Sequence, residues 1–491
     1  MNGFSSLSGF FRWLERSIYV GFLGVFVVSP LPLGGNRGWA FLALSAVAMV
    51  LLAGYLLVQW HRALMEPAKK QRQPVHWDSF LLIFAAFWMG FQGAVELPAG
   101  WMEILSPATL EIYTSALNVL EPGHAENAFP ISLEPGKTLD RAMLTLGCLA
   151  MVVLMHALIN SRKRLVQFCY MLVLTGVFQA FYGSMMTLTG MEYLFLVPKD
   201  AYIGNATGTF VNRNHLAGYL EMTLPIGIGL LLGSRKGSGQ VRRHWRGILT
   251  YILQTLLSPI AILRGLLVVM VIGLLLTHSR MGNAGFFNAL LITSAIAFLS
   301  TRQFRRTGFV VIILSIVAVD IALLGTWFDL SKVVDRIEST GIDHETRDEV
   351  AQSVMRMIPD FWLAGTGAGT FAYVFPKYSQ FTGGFYDYAH NDYLQILVEL
   401  GLVGCIPLAG LVMLGLVNAW KLLRSNDSRL LSGIGFASIM GTVSLLIHST
   451  VDFNLQIPAN ILLFLTLLVL PQVARQALSH RPVNSLEEYA H

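Results

Sequence analysis

The sequence predicts an all-α polytopic membrane protein of about twelve transmembrane helices, with a large, partly helical outer loop between spans 9 and 10. Three observations carry that expectation. Hydrophobic residues make up 54% of the 491 residues and charged residues only 13%, about half the ~25% of soluble domains. Mean hydropathy is +0.58. Apolar runs long enough to cross ~30 Å of hydrocarbon recur along the whole chain. So few charges cannot cover a water-exposed surface. That excludes a soluble enzyme, a disordered chain, a disulfide scaffold and a nucleic-acid-binding protein of the usual kind.

The candidate spans are 17–34, 38–60, 78–95, 142–160, 165–188, 214–233, 264–279, 283–300, 308–327, 391–418, 430–448 and 459–475. A further apolar run, 247–262, reads as interfacial, because Tyr251, Gln254, Thr255, Ser258 and Pro259 interrupt it between Arg246 and Arg264. Charge fixes the parity. With the N-terminus inside and twelve crossings, every short inner connection is basic, from Arg12 and Arg16 through Arg62, Lys69, Lys70 and Arg72 to Lys421, Arg424 and Arg429. A thirteenth crossing at 247–262 would turn Arg302, Arg305 and Arg306 outward. Both termini are therefore expected inside. No signal peptide is expected, because the run from Ile18 lacks a small-residue cleavage site. Cys148, Cys169 and Cys405 sit in apolar runs without metal-ligand spacing and read as buried hydrophobes.

Three units follow: 1–199, spans 1–5 with outer loop 96–141; 200–475, a transmembrane core with outer loop 328–389; and 476–491, a polar tail. Loop 96–141 is acidic, with Glu96, Glu103, Glu111, Glu121, Glu126, Glu134 and Asp140 against Lys137 and Arg141. Loop 328–389 is too long for a mere connector. It reads as a helix from Asp343 to Ile358 stopped by Pro359, then a glycine turn (Gly365-Thr-Gly-Ala-Gly369), then an aromatic run from Phe371 to Tyr388.

Polar residues gather at the outer ends of the spans. They are Asn212-Arg213-Asn214-His215, His278-Ser279-Arg280-Met281-Gly282, Arg347, His390-Asn391-Asp392, and His448 with Asp452 and Asn454. Taken singly, each has an ordinary reading: a snorkelling arginine, a helix terminus, a solvated loop cation. All five fall on one side in the twelve-span topology, and ionisable residues at membrane level are costly unless used. Glu221, Asp320 and Glu399 are the mid-span acids, and Glu221 is expected to pair with Arg213 or Arg280. On a helix from His390, Leu394, Leu397, Gly401 and Gly404 share the histidine's face, and the two glycines permit close helix approach. Several arginines with a histidine, and no paired carboxylate ligands, suit a pyrophosphate-linked lipid substrate. Guanidinium binds phosphate oxygens bidentately and keeps its charge, while imidazole takes a proton near neutral pH.

Ser279-Arg280-x-Gly282, Arg347 before the glycine turn, and His390-Asn391-x9-Gly401-x-x-Gly404 together resemble the O-antigen ligase and O-antigen/exopolysaccharide polymerase superfamily. Its members are bacterial inner-membrane glycosyltransferases of GT-C type. Phe210–His215 and the stretch from His448 through Asp452-Phe-Asn454 to Asn460 are similar to segments of many members, so the likeness runs over about 200–465.

The resemblance implies transfer en bloc of an undecaprenyl-pyrophosphate-linked glycan to an acceptor hydroxyl on the periplasmic face, inverting and with neither metal nor cofactor. It makes His390 the general base, and Arg280 and Arg347 the pyrophosphate ligands. Arg213, Asn214, His215, Ser279, Asn391, Asp392, His448 and Asp452 are then expected to bind substrate. Polymerisation of repeat units is the expected reaction, since the acidic loop 96–141 suits a polar glycan better than phosphorylated lipid A core. The alternatives are an O-antigen ligase acting on lipid A core, a protein O-oligosaccharyltransferase, and a polyprenyl-lipid transporter. Acceptor choice is expected to lie in 1–199. The expected partners are the donor, a glycan or lipid A core acceptor and the bilayer, with no nucleic acid.

Overall fold

In the computed structural model of the chain, the described residues are 2–65, 76–121, 127–195, 197–234, 258–301, 349–379 and 386–479. Long apolar helices account for most of them: α1 (Asn2–Val28), α2 (Gly38–Met65), α3 (Trp77–Ala94), two short helices α4 (Ala99–Leu105) and α5 (Pro107–Leu120), α6 (Pro135–Leu158), α7 (Arg162–Thr189), α8 (Arg213–Gly233), α9 (Pro259–Leu276) and α10 (Arg280–Ser300). After these come α11 (349–361), α12 (Phe371–Tyr378), α13 (Asp392–Leu423), α14 (Arg429–His448) and α15 (Pro458–Ser479). Nine of the described helices are long and apolar enough to cross a membrane. α1 and α3, more polar near their ends, pack with them. The only strands among the described residues are two short antiparallel pairs, β1 (Glu96–Pro98) with β2 (Ala128–Pro130) and β3 (Tyr193–Leu194) with β4 (Val197–Pro198). The chain is an all-α, multi-pass membrane protein.

Helix ends follow local signals. α1 stops at Val28, short of the expected 34, because Pro30 and Pro32 cannot continue a helix. α6 begins at Pro135 rather than 142, with proline in the first turn where a missing N–H costs nothing, so Asp140 and Arg141 are helical rather than in the loop. α9 begins at Pro259, capped by Ser258 Oγ, which accepts from Ala261 N at 3.2 Å. Residues 258–262, expected in an interfacial run, thus start a membrane helix. The rest of 247–262 and the expected span 308–327 lie outside the described residues.

α8 and α14 form the centre of the bundle and are buried almost throughout. Gly229 and Gly433 face each other so closely that a Cβ on either would meet the other's carbonyl oxygen, which allows the backbones to touch. One continuous apolar core runs from Ile18 to Ala477.

The two long loops do not stand apart. Ala108 of α5 packs with Val350, Val354, Met357 and Phe361 of α11, with Phe371 and Phe375 of α12, and with Ala389. Met102, Phe129 and Ile131 pack with Ala364. Together they form a layer over one end of the bundle. Pro359 does not stop α11, which continues to 361 and closes with Gly365 N on Phe361 O. A proline deletes one helical hydrogen bond without ending the helix where packing holds the next turn.

The glycine turn meets α13 where that helix breaks. Gly401 has φ 62°, ψ −177°, and a Cβ there would strike the Leu363 carbonyl. The break frees carbonyls that a helix would otherwise occupy. Val398 O and Glu399 O accept from Thr366 N and Gly367 N at 2.9 Å, and Leu402 N donates to Trp362 O at 2.7 Å. From α3, Trp88 Nε1 donates to Leu400 O at 2.8 Å, and Gln92 Nε2 donates to Ala364 O at 2.7 Å and Glu399 O at 3.0 Å. Glu399 itself accepts from Gly369 N (2.8 Å) and Phe371 N (3.2 Å). Gly404 does allow close approach, against Trp88 of α3. Gly401 instead interrupts the helix, because left-handed backbone is accessible to glycine alone at little cost.

Candidate functional site

Two helices at the loop-covered end begin in the same unusual way. His278 and His390 both hold φ 51°, a left-handed backbone uncommon for a residue with a Cβ. Each is followed by a capping residue. Ser279 Oγ accepts from Gly282 N (3.3 Å) to open α10, and Asn391 Oδ1 accepts from Leu394 N (3.1 Å) to open α13. The left-handed residue turns the chain sharply into the helix, so its imidazole stands at the helix tip.

His390 is half-buried and lies edge-on to the Phe453 ring, centroids 4.9 Å apart. Tyr388 stacks on the same ring at 4.2 Å, and His215 meets it edge-on at 4.7 Å. Phe453 therefore spaces two imidazoles and a phenol. Beside it, Asp452 accepts from Asn214 Nδ2 at 2.5 Å and lies 3.7 Å from His215 Nε2 and 3.9 Å from His448 Nε2. Burial pushes the Asp452 carboxyl up. The His215 and His448 imidazoles, the Phe453 N–H (2.7 Å) and His390 outweigh that and hold it below its ordinary value.

Behind this layer, His448 Nδ1 meets Glu221 Oε1 at 2.9 Å, and Ser444 Oγ donates to Glu221 Oε2 at 2.9 Å. Glu221 is thus paired with a histidine and a serine on α14, not with Arg213 or Arg280. A histidine one turn from Asp452 on the facing helix is nearer than either arginine, whose residues open their helices at the tip.

The loop joining α14 to α15 is held by Asp392, which is fully buried. Its N–H donates to Ser449 O at 3.0 Å, and its Oδ2 accepts from Ser449 Oγ (2.8 Å) and Leu455 N (2.9 Å). Asn391 Nδ2 adds a bond to Thr450 O at 2.9 Å. Asn460 Nδ2 donates to His215 O (3.1 Å) and Asn454 Oδ1 (2.9 Å), tying α15 to α8.

The arginines sit around this cluster. Arg280 is the exposed first residue of α10, two positions before Gly282, where a Cβ would lie 3.3 Å from His448. Arg213 opens α8 and donates to Asn205 Oδ1 at 2.8 Å, and His278 Nδ1 meets the same oxygen at 3.1 Å. The Asn205 amide is oriented by its Nδ2, which donates to Tyr202 O and Ile203 O. Arg347 lies outside the described residues, as do Asp320 and part of the aromatic run. Arg141, on the first turns of α6, reaches toward Gln456 O (3.4 Å), and its charge lowers, without overcoming, the rise that burial gives the Tyr388 phenol.

The structure therefore brings His215, His390, His448, Asn214 and Asp452 into one cluster and puts Arg213, Ser279 and Arg280 at helix starts around the same end. Asn391 and Asp392 hold the backbone that presents His390. Sequence reasoning named Tyr388 only as the end of the aromatic run and Arg141 only as a loop cation, and assigned no role to Phe453 or Asn205. Phe453 lies inside the Asp452-Phe-Asn454 string and was within reach; Asn205 carries no local pattern.

α8, α10, α13 and α15 begin at this end, and α9 and α14 finish there, so positive and negative helix termini both lie near the cluster, with Arg213 and Arg280 on two of the starts. Fold and site define a multi-pass membrane protein with a histidine- and arginine-rich centre at one end of its bundle. Residues 265–409 match the family model Wzy_C, O-antigen ligase. The match includes Arg280 and the His390–Gly404 element. It supports the O-antigen ligase/polymerase superfamily for this chain, and a membrane glycosyltransferase-like enzyme acting in glycan transfer of that general type. It spans less than a third of the chain and leaves out Asn212–His215 and His448–Asn460. No curated protein matches the chain.

Proposed function

We propose that the protein transfers an undecaprenyl-pyrophosphate-linked glycan en bloc to an acceptor hydroxyl at the periplasmic face of the inner membrane, and that the acceptor is a second lipid-linked repeat unit. The observation that supports this best is the meeting of His390, Asp452 and His215 beneath helix starts that carry Arg213 and Arg280. His390 takes the proton of the acceptor hydroxyl as its oxygen attacks the anomeric carbon. The bond from that carbon to the pyrophosphate oxygen breaks, undecaprenyl pyrophosphate leaves, and the configuration inverts. Arg280, Arg347 and the positive helix termini stabilise the charge that grows on the leaving group. Arg213 and Arg141 flank the same space. Asp452, ionised at neutral pH, favours the imidazolium that forms on His390, and Asn391 and Asp392 hold the histidine in place.

A ligase acting on lipid A core is the second reading, favoured by the description of the matched family. The deciding experiment supplies purified protein with lipid-linked repeat units alone. Lengthened lipid-linked chains without added core mark a polymerase. Products only after core is supplied mark a ligase, and no product with either acceptor overturns the transferase reading.

A further inference from the structure

At the end of the bundle opposite the histidine-rich site, three ligand-bearing side chains meet where α3 begins and α6 ends. We propose that His76, Asp78 and His156 form a binding site for a divalent transition metal of the zinc type, which clasps α3 to α6 beneath α15. The ligand atoms of the three residues lie within 4.8 Å of one another. His156 and Asp78 side chains are almost wholly buried, at 5% and 3% exposure.

The hydrogen-bond chemistry calls for a cation. His156 Nδ1 is 3.1 Å from Gln476 Oε1, and its Nε2 is 2.7 Å from Asp78 Oδ2. With the Gln476 amide oxygen toward it, Nδ1 carries the proton, and Nε2 faces the carboxylate, a contact that a second proton or a metal ion completes. A proton serves two atoms; His76, as a third donor within ligating reach, favours the metal. The rings of His76 and His156 are tilted neighbours, centroids 4.0 Å apart and 37° inclined. Asp78 Oδ1 accepts from Ser79 N at 2.7 Å, which leaves Oδ2, facing His156, as the ligand oxygen.

Two imidazoles with one carboxylate form the borderline donor set that zinc accepts, with a fourth position for water. Gln476 of α15, whose amide oxygen faces His156 Nδ1, is the outer partner that orients a ligating imidazole. The same three helices carry Trp88 and Gln92, Arg141, and Asn460 at the other end, so the clasp steadies the frame rather than entering the chemistry. The expectation of a metal-free reaction concerns the histidine-rich end and is separate from this site.

The test uses the purified full-length protein, stripped with chelator, freed of it, and titrated with zinc or cobalt(II). One equivalent of zinc per chain is expected by elemental analysis, with a melting temperature several degrees higher. Cobalt should give visible ligand-field absorption. His76→Ala and Asp78→Asn should lose the stoichiometric metal, whereas His76→Cys should keep it and add a thiolate–cobalt charge-transfer band. Should Asp78→Asn fail to fold, His76→Ala, at a half-buried helix start, decides alone. No stoichiometric metal in the wild type, or equal metal in the wild type and His76→Ala, overturns the proposal.

Discussion

The starts of α10 and α13 are built alike and surrounded differently. Each has a left-handed histidine, a capping side chain, and then a helix. At α13 the imidazole stands against Phe453, near a buried aspartate. At α10 it stands against Asn205, which also holds Arg213. The same backbone device thus places one histidine near a buried carboxylate and another beside a neutral amide that also binds a guanidinium group. Local conformation delivers a side chain to a position, and the tertiary neighbours decide what it does there. Under the proposed function, the first is the proton acceptor and the second belongs to the anion-binding rim.

The largest asymmetry between the two should appear on removing the imidazoles. His390→Ala is expected to lower transfer by about 10²–10⁴-fold with donor binding retained, the range for a general base. His390→Gly, which tolerates φ 51°, should regain part of that activity with added imidazole. Normal product from His390→Ala in the lipid-linked assay would end its assignment. Next comes Arg280 at the α10 start. Arg280→Ala should cost about 10²-fold in turnover, and Arg280→Lys should recover only part, since a point charge lacks the planar fork. Full activity of the lysine variant would remove bidentate phosphate recognition.

Smaller effects sharpen the contrast. Asn205→Ala removes the shared acceptor of Arg213 and His278 and should reduce donor binding about fivefold, the equivalent of ~1 kcal/mol for one net hydrogen bond. A fall in turnover as large as that of His390→Ala would erase the distinction between the two sites. Ser279→Ala and Asn391→Ala should each lower stability by about 1 kcal/mol as lost caps, read as melting temperature. The second should also slow transfer the more, because it carries His390, the proposed base.

The membrane class and most helices were legible because composition and apolar run length are local properties, and lipid leaves the backbone few choices. The ends of α6 and α9 were missed where hydropathy was weighed above proline in the first turn, at Pro135 and Pro259. Gly401 was read as a packing glycine, since sequence periodicity cannot tell a small residue that admits a neighbour from one that breaks the helix. The gathering of histidines at one end followed from topology. Their partners did not: Asp452 with Asn214, His448 with Glu221, and Phe453 with His390 join stretches up to 238 residues apart, and nothing short-range marks such pairs.

The break at Gly401 leaves a lasting obligation across the chain. Beyond the bonds from the glycine turn, Leu400 O takes an indole donor and Glu399 O a second, amide donor from a helix that precedes residue 100, so the break in the helix bearing His390 is completed by that donor pair. Chimaeras that graft residues 1–199 from a relative, to test the proposed seat of acceptor preference, would have to import equivalents of Trp88 and Gln92 or leave carbonyls short of donors in the helix that carries His390.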